Sequence, residues 1–249
     1  MFDLLKMRNR HGRPVITNLR SAKLNSPFRG FPVLQSTRDG LKVEVAAQAC
    51  PTGALTSQPF VLDMGKCIFC GRCAEASPAV IFTPEHRLAA IRREGLVINE
   101  KTTFEDFRKS AVESRAEIKR YFSRSLRFRQ VSAGGCNGCE YELNACNNVN
   151  FDMGRFGIDF VASPRHADGL VVTGPITRNM APALLDAWHS LAEPKLLIAV
   201  GACAISGGLF TSGELDRTIW ETLPVDLYVP GCPPHPLTII NGLLDLLGR

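Results

Sequence analysis

Cys67, Cys70 and Cys73 follow one another at two-residue gaps in the stretch CIFCGRCAEASP, and Ser77-Pro78 stands where a fourth cysteine would complete the series. Upstream, Cys50 precedes Pro51 in CPTGAL. Thiolates are soft ligands, so this spacing points to zinc or to an iron–sulfur cluster. Zinc modules usually pair C-x2-C knuckles, whereas here three cysteines stand in series, which favours the cluster and leaves zinc as the competing reading.

The run C-x2-C-x2-C-x3-C-P occurs twice in bacterial two-cluster ferredoxins, where three cysteines of one run share a cluster with the last cysteine of the other. In this chain Cys67, Cys70, Cys73 and Cys50 supply one complete ligand set. Counting back from Cys50, the other set falls on Gly40, Val43 and Ala46, with Ser77 as its crossing position, and none of these can ligate iron. The losses partition cleanly between the two sets. Residues 30–99 thus resemble a bacterial ferredoxin in which one 4Fe–4S cluster has been abandoned and its neighbour kept.

The remaining cysteines need a fold to gather them. From Leu126 onward, apolar strands are expected at 126–131, 158–162, 169–174, 196–201 and 226–231, with helices at 140–150, 178–192 and 236–247. Such alternation implies βα units and a parallel sheet covered on both faces. Ligands in such folds sit at the carboxyl ends of the strands. Cys136 and Cys139 (GGCNGCE), Cys203 (VGACAISGG) and Cys232 (PGCPPHP) all fall in loops at that edge. Flanking glycines let backbone N–H groups approach the sulfurs.

The motifs GGCNGCE, SPRHAD (163–168), VTGPITRNM (172–180), VGACAISGG (200–208) and PGCPPHP (230–236) make residues 126–249 similar to the small subunit of nickel–iron hydrogenases and its homologue in respiratory complex I. The first-loop cysteines are separated as Cys-Asn-Gly-Cys, the hydrogenase form. The chain most resembles energy-converting, membrane-associated hydrogenases of the formate hydrogenlyase type. Its front half resembles the polyferredoxin subunit of the same complexes, at NLRSAKLNSPFRGFP and MGKCIFCGRC, so the chain reads as a fusion of two ordinarily separate pieces. The resemblance implies that Cys136, Cys139, Cys203 and Cys232 bind the proximal 4Fe–4S cluster, and that a partner large subunit holds the nickel–iron centre. Two 4Fe–4S clusters, one per domain, are therefore expected, with no catalytic residue on this chain.

Second-rank candidates come from the same motifs. Glu140, beside a ligand cysteine, is a candidate for passing protons towards the partner, against the plainer role of a helix-start acid. Arg165 and His166 match the family motif, His166 as a hydrogen-bonding neighbour of the cluster or as loop packing. Arg178 is expected near the large-subunit interface or on the free surface. Cys146 reads as a buried, inert thiol, His235 as a loop residue, and Gly207-Gly208 as no phosphate loop, since no Lys-Ser/Thr follows.

Charge is uneven. Residues 1–30 carry seven Lys/Arg against Asp3, residues 100–130 nine against five acids, and residues 131–249 six against twelve. No nucleic-acid motif accompanies the basic segments, so they are read as facing membrane subunits, anionic lipid or an acidic partner, and nucleic acid is excluded. No apolar run approaches the roughly 20 residues needed to cross a bilayer, and the start has no signal-peptide pattern. The expectation is a cytoplasmic chain, peripheral on the membrane through its partners: a large subunit, an electron-donor or polyferredoxin subunit, and integral membrane subunits.

The expected fold is α/β: a flavodoxin-like parallel-sheet domain preceded by a small α+β bacterial-ferredoxin-like domain. Its parts are an extended basic arm (1–40), the single-cluster module (41–99), a linker helix (100–125) and the second cluster domain (126–249). The expected function is electron relay to or from nickel–iron. The alternatives are the same subunit in a nickel-free, complex I-like ion-pumping or quinone-reducing complex, and a redox-inactive zinc scaffold.

Overall fold

The computed structural model describes residues 2–12, 14–35, 39–111, 116–210 and 213–249. Helix α1 (Phe2–His11) comes first and buries none of its residues. There follow β1 (Pro32–Leu34), α2 (Gly40–Gln48), β2 (Leu55–Ser57), β3 (Phe60–Asp63), α3 (Arg72–Ala76), β4 (Val80–Phe82) and β5 (Val97–Asn99). β1 pairs antiparallel with β4, and β2 with β3, so each β–α–β unit lends a strand to the other. β5 completes a three-stranded sheet on β3.

This topology explains the positions that lack a thiol. Gly40, Val43 and Ala46 lie on a helix instead of a ligand loop. Asp39 caps it by accepting from Leu41 N–H, and Val43 and Ala46 turn inward. Ala46 packs in the same core as Cys67 and Cys73. Ser77 is buried, its N–H on the Cys73 carbonyl and its hydroxyl accepting from Ala79 N–H.

Two expectations about the front of the chain change. The arm was expected to be extended. Instead residues 2–11 are helical, and the segment after them packs on its own chain. Ile16 N–H donates to Asn150 O, and the carbonyl of buried Leu19 accepts from Asn241 at 3.0 Å. An apolar anchor inside a basic segment gives it a core to join. The linker helix is described as α4 (Phe104–Ala111) and α5 (Ala116–Phe122), and residues 112–115 of that expectation lie outside the described residues. Thr103 caps α4, its hydroxyl accepting from Asp106 N–H at 3.1 Å. Phe107, Ala111, Ile118 and Phe122 form the buried face.

The second half comprises β6 (Leu126–Ser132), α6 (Gly138–Ala145), β7 (Ile158–Phe160), β8 (Gly169–Thr173), α7 (Ala181–His189), β9 (Leu196–Val200), α8 (Ala202–Ser206), α9 (Ile219–Thr222), β10 (Leu227–Val229) and α10 (Pro236–Leu246). The sheet order is β10-β9-β8-β6-β7, every pair parallel. Counted within this half the order is 5-4-3-1-2, the flavodoxin-like arrangement with its switch point between β6 and β8. Every residue of β8 and β9 is buried, as a sheet covered on both faces requires. The helix expected over 140–150 starts two residues earlier, at Gly138, and ends at Ala145.

α10 buries every residue except Asp245, as a helix enclosed on all sides must. It lies under the sheet, and Asp245 ties the halves together. Its carboxylate pairs with Arg20 of the arm, with Arg87 of the small module at 2.8 Å, and with Arg108 of α4 at 2.8 Å. Ala90 and Tyr228 exchange backbone hydrogen bonds of 3.0 and 2.8 Å, which covers the open edge of β10. No helix among the described residues is long and apolar enough to cross a membrane.

Candidate iron–sulfur sites

The first thiol set is built around the turn from β3 to α3. Cys67 and Cys70 lie on that turn and Cys73 on α3, while Cys50 follows α2. Cys67 and Cys73 are buried, Cys50 and Cys70 half-buried. Backbone N–H groups already point at sulfur: Ala54 donates to Cys50 Sγ at 3.2 Å and Phe69 to Cys67 Sγ at 3.3 Å. The turn needs a left-handed backbone at Phe69 (φ 53°) and Gly71 (φ 83°).

The thiols feel one another. Burial pushes Cys67 up to about 12, and the charges of Cys73, Cys50 and Cys70 add to the rise. Cys73 is raised by burial and then by Cys50 and Cys70. Burial also acts upward on Cys50, but the N–H groups of Leu55, Thr52 and Ala54 and the Thr52 hydroxyl outweigh it and leave it lowered. Four thiolates packed this closely cannot ionise together without a positive core between them. A metal core held between them would supply that charge.

The second set gathers at the carboxyl edge of the parallel sheet. Cys136 and Cys139 follow β6, Cys203 opens α8 after β9, and Cys232 follows β10. Cys136 and Cys232 are exposed, Cys139 and Cys203 half-buried. Burial lifts Cys139 to about 12, followed by Glu140, Cys232 and Cys136. Cys203 and Cys232 act on each other: Cys232 and burial raise Cys203, while Cys203 brings Cys232 down to about 7. Gly201 adopts φ 91°, ψ 155°, and a Cβ there would sit 2.5 Å from Cys139 Sγ. At Gly208 a Cβ would sit 2.9 Å from Cys203 Sγ. The glycines therefore hollow a cradle around sulfur.

Among the described residues, no three His, Cys, Asp or Glu side chains converge on a site for a single metal ion. A zinc ion would draw four sulfurs to about 2.3 Å of one point.

The second-rank residues separate. Glu140 is fixed rather than free: its Oε1 accepts from Ser132 and Thr173 hydroxyls, both at 2.6 Å, at the ends of β6 and β8. Burial would raise it, but these bonds hold it below the usual carboxylate range. Arg165 and His166 are exposed on a turn whose Ser163 hydroxyl accepts from Arg165 N–H, and Arg178 is exposed after β8. Among the described residues, none of these three bonds a cysteine. Cys146 is buried, donates to Glu142 O at 3.2 Å and is raised by burial. His235 caps α10, its Nδ1 accepting from Leu237 N–H at 3.1 Å, between the edges of Phe28 and Phe151. Burial and His86 bring it down to about 4. Sequence reading took His235 for a plain loop residue, although a His-Pro pair opening an apolar helix is a capping signal.

Residues 136–246 match the family described as NADH ubiquinone oxidoreductase, 20 Kd subunit. An uncharacterised protein of Methanocaldococcus jannaschii is 44% identical over 49% of this chain and 83% of its own length. The chain belongs to this family. A probable membrane-bound hydrogenase subunit of Pyrococcus furiosus is 40% identical over 54% of this chain and 81% of its own. Formate hydrogenlyase subunit 7 of Escherichia coli K12 is 43% identical over 56% of this chain and 55% of its own. The 20 kDa subunit family model covers the second thiol set and leaves residues 1–135, with the first set, outside it.

Proposed function

We propose that this chain is an electron-transfer subunit carrying two 4Fe–4S clusters, one on Cys50, Cys67, Cys70 and Cys73, the other on Cys136, Cys139, Cys203 and Cys232. The observation that carries the reading is that three loops distant in sequence bring the second four thiols into mutual influence, while a separate module does the same for the first four. The module's interlocked β–α–β units support its reading as a ferredoxin-like domain with one site filled in. When bound, each cluster takes up and releases single electrons. The chain's own work is to bury the thiolates, aim N–H groups at sulfur and hold the two halves in fixed register through Asp245 and the Ala90–Tyr228 bridge.

The exposed thiols Cys136 and Cys232 mark the face towards the partner. Tyr141 on α6 and Leu209 and Phe210 after α8 are also exposed, apolar surface suited to a large subunit. We place there a nickel–iron large subunit, supported by the separated Cys-Asn-Gly-Cys form and by the names of two relatives, so that electrons pass from the first set to the second and on to protons, or in reverse. The family description favours one alternative, the same relay in a nickel-free, complex I-like assembly. Electron-donor and membrane subunits complete either complex, and the basic front of the chain faces them. A complex purified through a tag on this chain decides between the two. Nickel with hydrogen-dependent viologen reduction supports the first; a nickel-free complex that reduces quinone overturns it.

A further inference from the structure

Between the two thiol sets lies a cavity of about 200 Å3. One wall is the turn at residues 68–69, between Cys67 and Cys70. The opposite wall is the loop at residues 231–235, which carries Cys232, and arm residues 27–29 close the space. Two consecutive arm residues thus touch both loops. Phe28 meets His235 edge-on at 5.6 Å, and Arg29 Nη1 donates to the Phe69 carbonyl at 3.4 Å. The loop is shaped for this guanidinium, because a Cβ at Gly71 would collide with Arg29 Nε. Among the described residues no carboxylate pairs with Arg29. Glu75, which lines the neighbouring cavity with it, is exposed to water.

We propose that Arg29 sets the reduction potential of the centre held by Cys50, Cys67, Cys70 and Cys73. The inference rests on the two-cluster reading above. A four-thiolate centre gains a negative charge on reduction, so a fixed, unpaired guanidinium on its ligand turn favours the reduced state. Potential is set by such local charge and hydrogen bonding as much as by the ligands. The second thiol set provides an internal reference. The arm reaches it through the uncharged ring of Phe28, so its centre should respond less.

The test is a potentiometric titration of the full-length, cluster-loaded protein followed by electron paramagnetic resonance, with Arg29→Gln and Arg29→Lys. In Arg29→Gln the reduction equilibrium of the first centre should fall about tenfold, which is 59 mV for one electron, with a smaller shift at the second. Arg29→Lys keeps the charge and should recover most of the difference. An unchanged first potential at wild-type iron content overturns the inference. So does loss of iron from Arg29→Gln, which would make Arg29 a fastening of the turn. A wild-type chain with no centre on the first set overturns both this inference and the two-cluster reading, and iron content separates that case from the others.

Discussion

At the scale of single residues, close thiols impose the chemistry. The first set of cysteines stands out in the sequence because its spacing is short-range and survives as a pattern. Arg29, His235 and Asp245 do not, because each acts through an approach that only the folded chain creates. Glycines carry the same lesson. Gly201 occupies a backbone region that is essentially glycine-only, and its missing Cβ makes room for Cys139 Sγ. Gly201→Ala is expected to strip iron from the second set and leave the first intact, at a folding cost of about 1–3 kcal/mol. Gly213→Ala, with nothing near its added Cβ, is the control and should leave both centres unchanged. Equal iron in the two variants would contradict the cradle. Ser77 poses the opposite case. Because Val43 and Ala46 face inward on α2, Ser77→Cys should add no iron. A gain in iron and sulfide per chain would mean that the abandoned site is still a loop able to bind.

At the scale of elements, the alternation of apolar strands and helices announced the parallel sheet, and its strands fall within two residues of expectation. The front was harder to read. A basic, weakly periodic segment gives no sign that Leu19 will be a core residue, or that residues 2–11 will be helical. Nor does an apolar terminal helix reveal why it tolerates one acid. Asp245 answers three arginines from three separate segments. Asp245→Asn removes the shared anion and leaves like charges facing one another. We expect a loss of about 3 kcal/mol at neutral pH by urea unfolding. Burial acts to raise Asp245, but the Arg20 hydrogen bond and the charges of Arg108 and Arg87 outweigh it and hold it below the usual carboxylate range. A depressed folded value means that this stabilisation is present above the ordinary carboxylate range and is lost as pH falls through the folded value. The gap between wild type and Asp245→Asn should therefore close on acidification. A gap independent of pH would assign the effect to packing.

At the scale of the whole molecule, two thiol sets from different modules share one cavity, one salt-bridge knot and one backbone bridge. The residues that match the family include the second set. The first lies outside the family model, and only its ligand pattern and the fold of its module speak for it. The α/β class and the flavodoxin-like sheet could be read from periodicity. The docking of the halves could not, because Ala90, Tyr228 and the arginines around Asp245 carry no local signature of pairing. The measurement that bears most directly on the account is iron and acid-labile sulfide per chain, taken with electron paramagnetic resonance of the reduced protein. About eight of each, with signals from two interacting 4Fe–4S centres, is the expected result. About four of each, or zinc in place of iron at either set, would contradict it.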